Sequence, residues 1–414
     1  MYTSLPLTPL FDSVKHYTEL FNTPLLEKNL DKNFISSPLG AWILLALVSN
    51  NAEEINDDLT YDLEKVLGMT TTEAFKTVGL LLATAPEVIS ASVGSWINAE
   101  LANKPAFIKW LKSVSGVMTV DSKIPEQKVL DEWAEEKTLG LIKKFPMIVD
   151  RLTVFLLATV LATKISWVDE FEVIENELMP EWGTKKILKS PTEHQKWVEG
   201  TDKGTFGVHT ARSNTTQGQL TVFSVIGDPA LSAAEVLNEA QNIVANYINH
   251  KNSKVSLFDI PLEGNSFISI AEEEITQYNS MPTEIINSYL PAWKAESRHE
   301  LRDIDGFNEA FALFGDTGDL DMEVIQVAVA SYDKKGFEAA AITSMMFGAA
   351  GLPRLEDVLV REAKLKFNHP YAVVALFHDQ RRYDENKEVP NYALWNGLPA
   401  FTAWVREALE PTED

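Results

Sequence analysis

The chain has 414 residues, 45% of them apolar, which is enough to bury a sizeable core. Its net charge of −24 repels phosphate backbones and anionic headgroups, so neither nucleic acid nor a membrane surface is an expected partner. With no cysteine, disulfides, thiolate chemistry and cysteine-held zinc are excluded.

Residues 8–22 place Leu10, Phe11, Val14, Tyr17, Leu20 and Phe21 near one face, which predicts an amphipathic helix. Asp12, Lys15 and Glu19 interrupt any signal-peptide core, so the chain as written is expected in the cytoplasm, and outside the cell if it is a mature form. The run 33–38 reads as a strand leading into a helix, with Ser37 to cap the amides and Pro38 in the first turn. The apolar centre at 41–48 predicts a buried helix and is too short for a bilayer span of about 20 residues.

Two further helices are predicted over 52–66 and 71–84, then a strand over 90–98 and a helix over 104–114. A short strand at 119–120 and a helix over 127–137 follow, the latter running into Thr138-Leu139-Gly140-Leu141-Ile142. Residues 153–164 are apolar on both faces, the mark of a central strand. Trp167 and Phe171 come next, and signals weaken from 172 to 290. Strands are predicted at 221–226, 254–260, 290–297, 324–332 and 367–377, and helices at 232–249 and 302–314. No repeat or linker interrupts the pattern, so residues 1–414 are predicted to form a single domain.

Between the last two strands lies 332–366, opened by a charged turn and Gly336 and rich in small residues. Composition alone favours an Ala-rich helix. The other reading is a mobile loop that can join a sheet as an extra strand.

In this order the motifs resemble the serpin family. Asn33 to Pro38 is similar to the family's Asn-x-x-x-Ser-Pro approach to a buried helix, and Thr138, Gly140 and Ile142 to its Thr-x-Gly-x-Ile turn. The strand from Thr153, ending at Trp167 and Phe171, resembles the family's central strand. Leu290-Pro291-Ala292-Trp293 resembles Leu-Pro-x-Phe, Gly336 with Glu338, Ala339, Ala340 and Ala341 resembles the hinge, Phe367 to Tyr371 resembles Phe-x-x-Pro-Phe, and Gly397 matches a late glycine.

The resemblance implies an α+β fold with three β-sheets, about eight to nine helices and an exposed reactive-centre loop over 336–366. It implies a suicide-substrate inhibitor of a serine protease, whose cut loop enters the main sheet before water can release the acyl-enzyme. The hinge would comprise Lys334, Gly336, Phe337, Glu338, Ala339, Ala340 and Ala341. The sheet would open over Ser37, Gly40, Thr159 and Gln326. Family spacing from Lys334 puts the reactive bond at Ala350–Gly351, which suits a protease with a small or apolar pocket; Phe347, Arg354 and Arg361 are alternatives. A monomer without metal or cofactor, and not an enzyme, is expected.

Several positions depart from the family. Phe337 stands where inhibitors carry a small residue; forcing its ring into a sheet costs roughly 1–3 kcal/mol, and about 2 kcal/mol on the barrier slows insertion about 30-fold. Lys334 replaces a Glu, Gly40 a Ser, Thr159 an Asn and Gln326 a His, so the polar network under the sheet is expected to be absent or rebuilt. These changes support the alternative, a non-inhibitory binding or scaffold protein that is merely cleaved as a substrate. The seven histidines sit at no metal-ligand spacing, and no catalytic motif occurs. The acidic run Asp316, Asp319, Asp321 and Glu323 lacks EF-hand spacing and reads as a solvated loop.

Overall fold

The computed structural model describes residues 2–3, 8–50, 52, 56–118, 120–145, 147–149, 153–215, 219–277, 282–314, 321–337, 356–378, 383–384 and 391–413. Among them are nine α-helices: α1 (Pro9–Glu27), α2 (Pro38–Val48), α3 (Asp57–Leu67), α4 (Thr71–Ala83), α5 (Ala99–Ala102), α6 (Pro105–Val114), α7 (Gln127–Lys137), α8 (Ala233–Ile248) and α9 (Phe307–Ala312).

Among the described residues the strands, numbered along the chain, form three large sheets. The main sheet has four, in the order β14 (Trp293–Glu300), β15 (Asp321–Tyr332), β4 (Thr153–Ala162) and β3 (Ser90–Ile97). A seven-stranded back sheet runs β11 (Lys254–Val255), β8 (Gln195–Thr201), β9 (Gly204–Arg212), β10 (Leu220–Ile226), β18 (Tyr371–Phe377), β20 (Pro399–Val405) and β2 (Phe34–Ser36). The five-stranded side sheet runs β12 (Ile268–Gln277), β17 (Glu356–Lys366), β13 (Thr283–Leu290), β7 (Lys186–Lys189) and β6 (Glu172–Glu175). Two small ribbons pair β1 (Tyr2–Thr3) with β19 (Tyr383–Asp384) and β5 (Ile165–Ser166) with β16 (Gly336–Phe337).

Helix α2 sits at the centre. Every one of its residues is buried, and it packs against α1, α4, β4 and β20. Its start is built as the sequence predicts: Ser37 Oγ accepts from Gly40 N at 3.3 Å and Pro38 fills a position whose N–H would have no helical partner. Trp42 Nε1 donates to Leu67 O, tying α2 to the end of α3. All ten residues of β4 are buried, which is why its sequence shows no alternation.

Several expectations are corrected. The strand predicted at 290–297 is two strands in different sheets: Leu290 pairs with Leu188 in the side sheet, and Trp293 pairs with Tyr332 in the main sheet. Pro291, between them, has no N–H for a ladder. Only Lys254–Val255 of 254–260 is strand; Ser256 Oγ then accepts from Phe258 N and starts a 3-10 turn over Leu257–Asp259. Helix α3 begins at its Asn56 cap rather than at 52, and α9 is confined to Phe307–Ala312. Of 119–120, Thr119 is outside the described residues, and it is Asp121 that bridges Trp96. Only Tyr371–Phe377 of 367–377 is strand.

Candidate functional site

The main sheet contains a seam. Strands β15 and β4 run parallel and pair from Asp321 with Thr153 up to Gln326 with Thr159. Above that level β15 continues to Tyr332 and β4 to Ala162, yet the ladder between them stops. Their other edges remain paired, β4 with β3 up to Ala162 and β15 with β14 up to Tyr332. Nothing lies between β4 and β15 in the lower half, because they pair with each other directly. At the top of the seam is a cavity of about 220 Å³ bordered by Thr163, Val329, Ala330, Ser331 and the Gly140 turn. A strand laid there would meet two backbone edges of the right kind, gaining on the order of 1 kcal/mol net per hydrogen bond.

The floor of the seam gathers all four residues predicted to control its opening. Gln326 Oε1 accepts from Ser37 N at 2.8 Å and its Nε2 donates to Ser37 O at 2.7 Å. Ser37 Oγ donates to Ala400 O, and Thr159 Oγ1 donates to Gly40 O at 3.3 Å. A Cβ on Gly40 would stand 3.1 Å from Ser37 Oγ and 3.2 Å from Thr159 Oγ1, so glycine leaves room for those two hydroxyls. The polar network is therefore rebuilt rather than absent.

The hinge leaves the top of β15. Asp333 to Lys335 form the turn, closed by Asp333 N donating to Gly336 O at 3.1 Å. Gly336 and Phe337 then pair antiparallel with Ser166 and Ile165. Gly336 is extended, at φ 158°, so the reversal expected of it is made by the residues before it. Trp167 N donates to Lys335 O, Phe171 N to Lys334 O, and Trp167 Nε1 to Asp333 O, each at 3.0 Å. Below, the Tyr332 ring packs on Trp167 and Phe171 and stacks on Trp293. Glu338, Ala339, Ala340, Ala341, Ala350 and Gly351 lie outside the described residues, as do Asp316, Asp319, Phe347 and Arg354.

The segment 336–366 is not loop at its far end. Residues 356–366 are β17, which pairs antiparallel with β12 and parallel with β13. Arg361 is held within it: Nε donates to Glu272 at 2.6 Å, and its guanidinium also bonds to Leu257 O and Ile260 O. Its side chain is only 13% exposed, which removes it as a cleavage site.

A buried histidine pair beside the hinge went unseen in the sequence. His194 precedes β8 and His209 lies on β9, and both contact Phe171. His194 Nε2 faces Asp169 O at 2.9 Å, and a carbonyl can only accept, so that nitrogen carries the proton. His209 Nε2 must then donate to His194 Nδ1, 3.0 Å away. Burial pushes His194 down to about 3, and burial with the neighbouring His194 pushes His209 well below the ordinary range. The signal was the hairpin register that sets Gln195 opposite Thr210, but β8 and β9 were not recognised as strands.

The main sheet thus has a half-open seam, and Gly336 and Phe337 pair outside it with β5. A family model described as Serpin (serine protease inhibitor) matches residues 17–186. A serine protease inhibitor of Mus musculus is 26% identical over 84% of this chain and 80% of its own length. Among solved structures, the thermophilic serpin tengpin in its native state aligns with a TM-score of 0.59 at 16% identity, covering 97% of this chain and 93% of its own. Human thyroxine-binding globulin complexed with thyroxine aligns with a TM-score of 0.58 at 12% identity, covering 96% and 98%. The chain has the serpin fold, and its residues 17–186 match the serpin family model.

Proposed function

We propose that the protein inhibits a serine protease as a suicide substrate, by insertion of its cleaved loop into the seam between β4 and β15. The observation that carries this reading is the ladder that ends at Gln326 and Thr159 while both strands run on. The hinge is positioned to feed that gap, because Gly336 and Phe337 hold only a two-residue pairing with β5. Cleavage after Ala350 would leave β17 anchored on both edges and only the β15 side able to move. The proposed partner is a protease with a small or apolar pocket, and the chain acts once rather than turning over.

A second reading, a serpin-fold binding or scaffold protein that proteases merely nick, is favoured by Phe337, whose bulk slows insertion. Incubation with elastase, subtilisin, chymotrypsin and trypsin, followed by a denaturing gel, separates the two. A band at the summed mass with elastase or subtilisin supports trapping. Clean nicking by all four without that band would refute it.

A further inference from the structure

Beyond β20 the chain turns back over the hinge. Asn33 Oδ1 accepts from Arg406 N and Glu407 N, both at 2.7 Å, and Leu409 N donates to Ala292 O at 2.7 Å. Glu410 accepts from Lys185 N and Lys186 N at the start of β7. The last contacts converge on the hinge turn. Thr412 donates to the Asp333 carboxylate twice, from Oγ1 at 2.7 Å and from its backbone N at 3.1 Å, and Lys334 Nζ donates to Glu413 O at 2.8 Å. Asp333 also accepts from Lys334 N at 2.7 Å, so one carboxylate joins the tail to the turn.

We propose that residues 407–413 form a strap that restrains the hinge turn and slows loop insertion until it lets go. The inference rests on the insertion reading above. Three observations separate a strap from ordinary packing. Glu407, Glu410, Thr412 and Glu413 are exposed, Leu409 is 50% exposed and only Pro411 is buried, so polar contacts rather than a buried apolar face account for most of the segment's order. Its hydrogen bonds reach both Asp333 and Lys334, the two residues that must turn first if the hinge is to leave β5. Between strap and hinge is an open groove of about 640 Å³ bordered by Trp293, Tyr332, Gly336 and Leu409, so the strap reaches the turn through those bonds and not by close packing. The departure at Lys334 then has a role: its ammonium reaches a carbonyl of the strap, where a carboxylate would repel it.

The test uses the full chain with Thr412→Pro, which removes both donors to Asp333, and separately Lys334→Met, which releases the strap from the other side. The first readout is hydrogen exchange in the intact protein at the Trp167 and Phe171 amides, which report Lys335 O and Lys334 O. About tenfold faster exchange is expected there in both variants, with 321–326 unchanged. The second is the rate at which thermal stability rises after the loop is nicked, expected to increase by a similar factor. Unchanged exchange in both variants would overturn the strap. So would faster exchange with an unchanged rate of stabilisation. If the nicked wild-type protein gains no stability at all, the insertion reading fails by itself, and the exchange result still judges whether the tail holds the hinge.

Discussion

Gln326 bridges β15 to the start of α2 through both backbone groups of Ser37. Gln326→Ala leaves a buried N–H and C=O without that partner, and a loss of about 1–3 kcal/mol is expected in urea unfolding. The histidine pair predicts a pH effect. His194 at about 3 and His209 well below its ordinary range bind fewer protons folded than unfolded, where the pKa is about 6.5. The stability they support is full above about pH 6.5 and falls as the pH drops below it. His209→Gln removes one of the two groups, so melting temperature is expected to fall less steeply from pH 6.5 to 4 than in the parent. Parallel curves would show that the pair does not set the acid sensitivity. These residues also show why the site was only partly legible. Ser37 could be placed as a helix cap from its neighbours, and Gly40, Thr159 and Gln326 only through the family resemblance; the Gln326 bond to Ser37 spans 289 positions and no local pattern encodes it.

At the scale of elements, the two ends of the loop are held unequally. The β15 end has a two-residue ribbon, whereas β17 has ten pairs with β12 and seven with β13. Cutting anywhere between 338 and 355 is therefore expected to free the hinge and not β17. Limited trypsin digestion with mass-spectrometric mapping should show no early cut after Arg361, although the sequence alone leaves that bond a candidate. On the proposed insertion, Phe337→Thr removes a ring that would have to enter the sheet, and a rise of up to about 30-fold in the ratio of trapping to nicking is expected. An unchanged ratio would count against this account of Phe337. The long side sheet was missed because β6, β7, β12 and β13 are short, amphipathic or acidic. Their order, with β17 between β12 and β13, is set by pairing and not by periodicity.

For the molecule as a whole, the seam represents unused hydrogen bonding and burial. Filling the gap along 327–332 with a strand gains on the order of 1 kcal/mol net for each backbone bond. Nicked protein is expected to melt about 10 °C or more above intact protein. Equal melting temperatures would mean that the seam does not take up the loop.

The sequence by itself determined the elements whose patterns are local: the capped, wholly apolar α2, the two-sided apolar β4 and the helix α7. Caps, periodicity and the order of short motifs carry that information within a few residues of one another. Only the tertiary structure decided which strand edges meet, that Pro291 divides two sheets, that Gln326 closes on Ser37, and that the C-terminal tail returns to Asp333. Those contacts join residues tens to hundreds of positions apart, and their geometry exists only once the sheets have closed around α2.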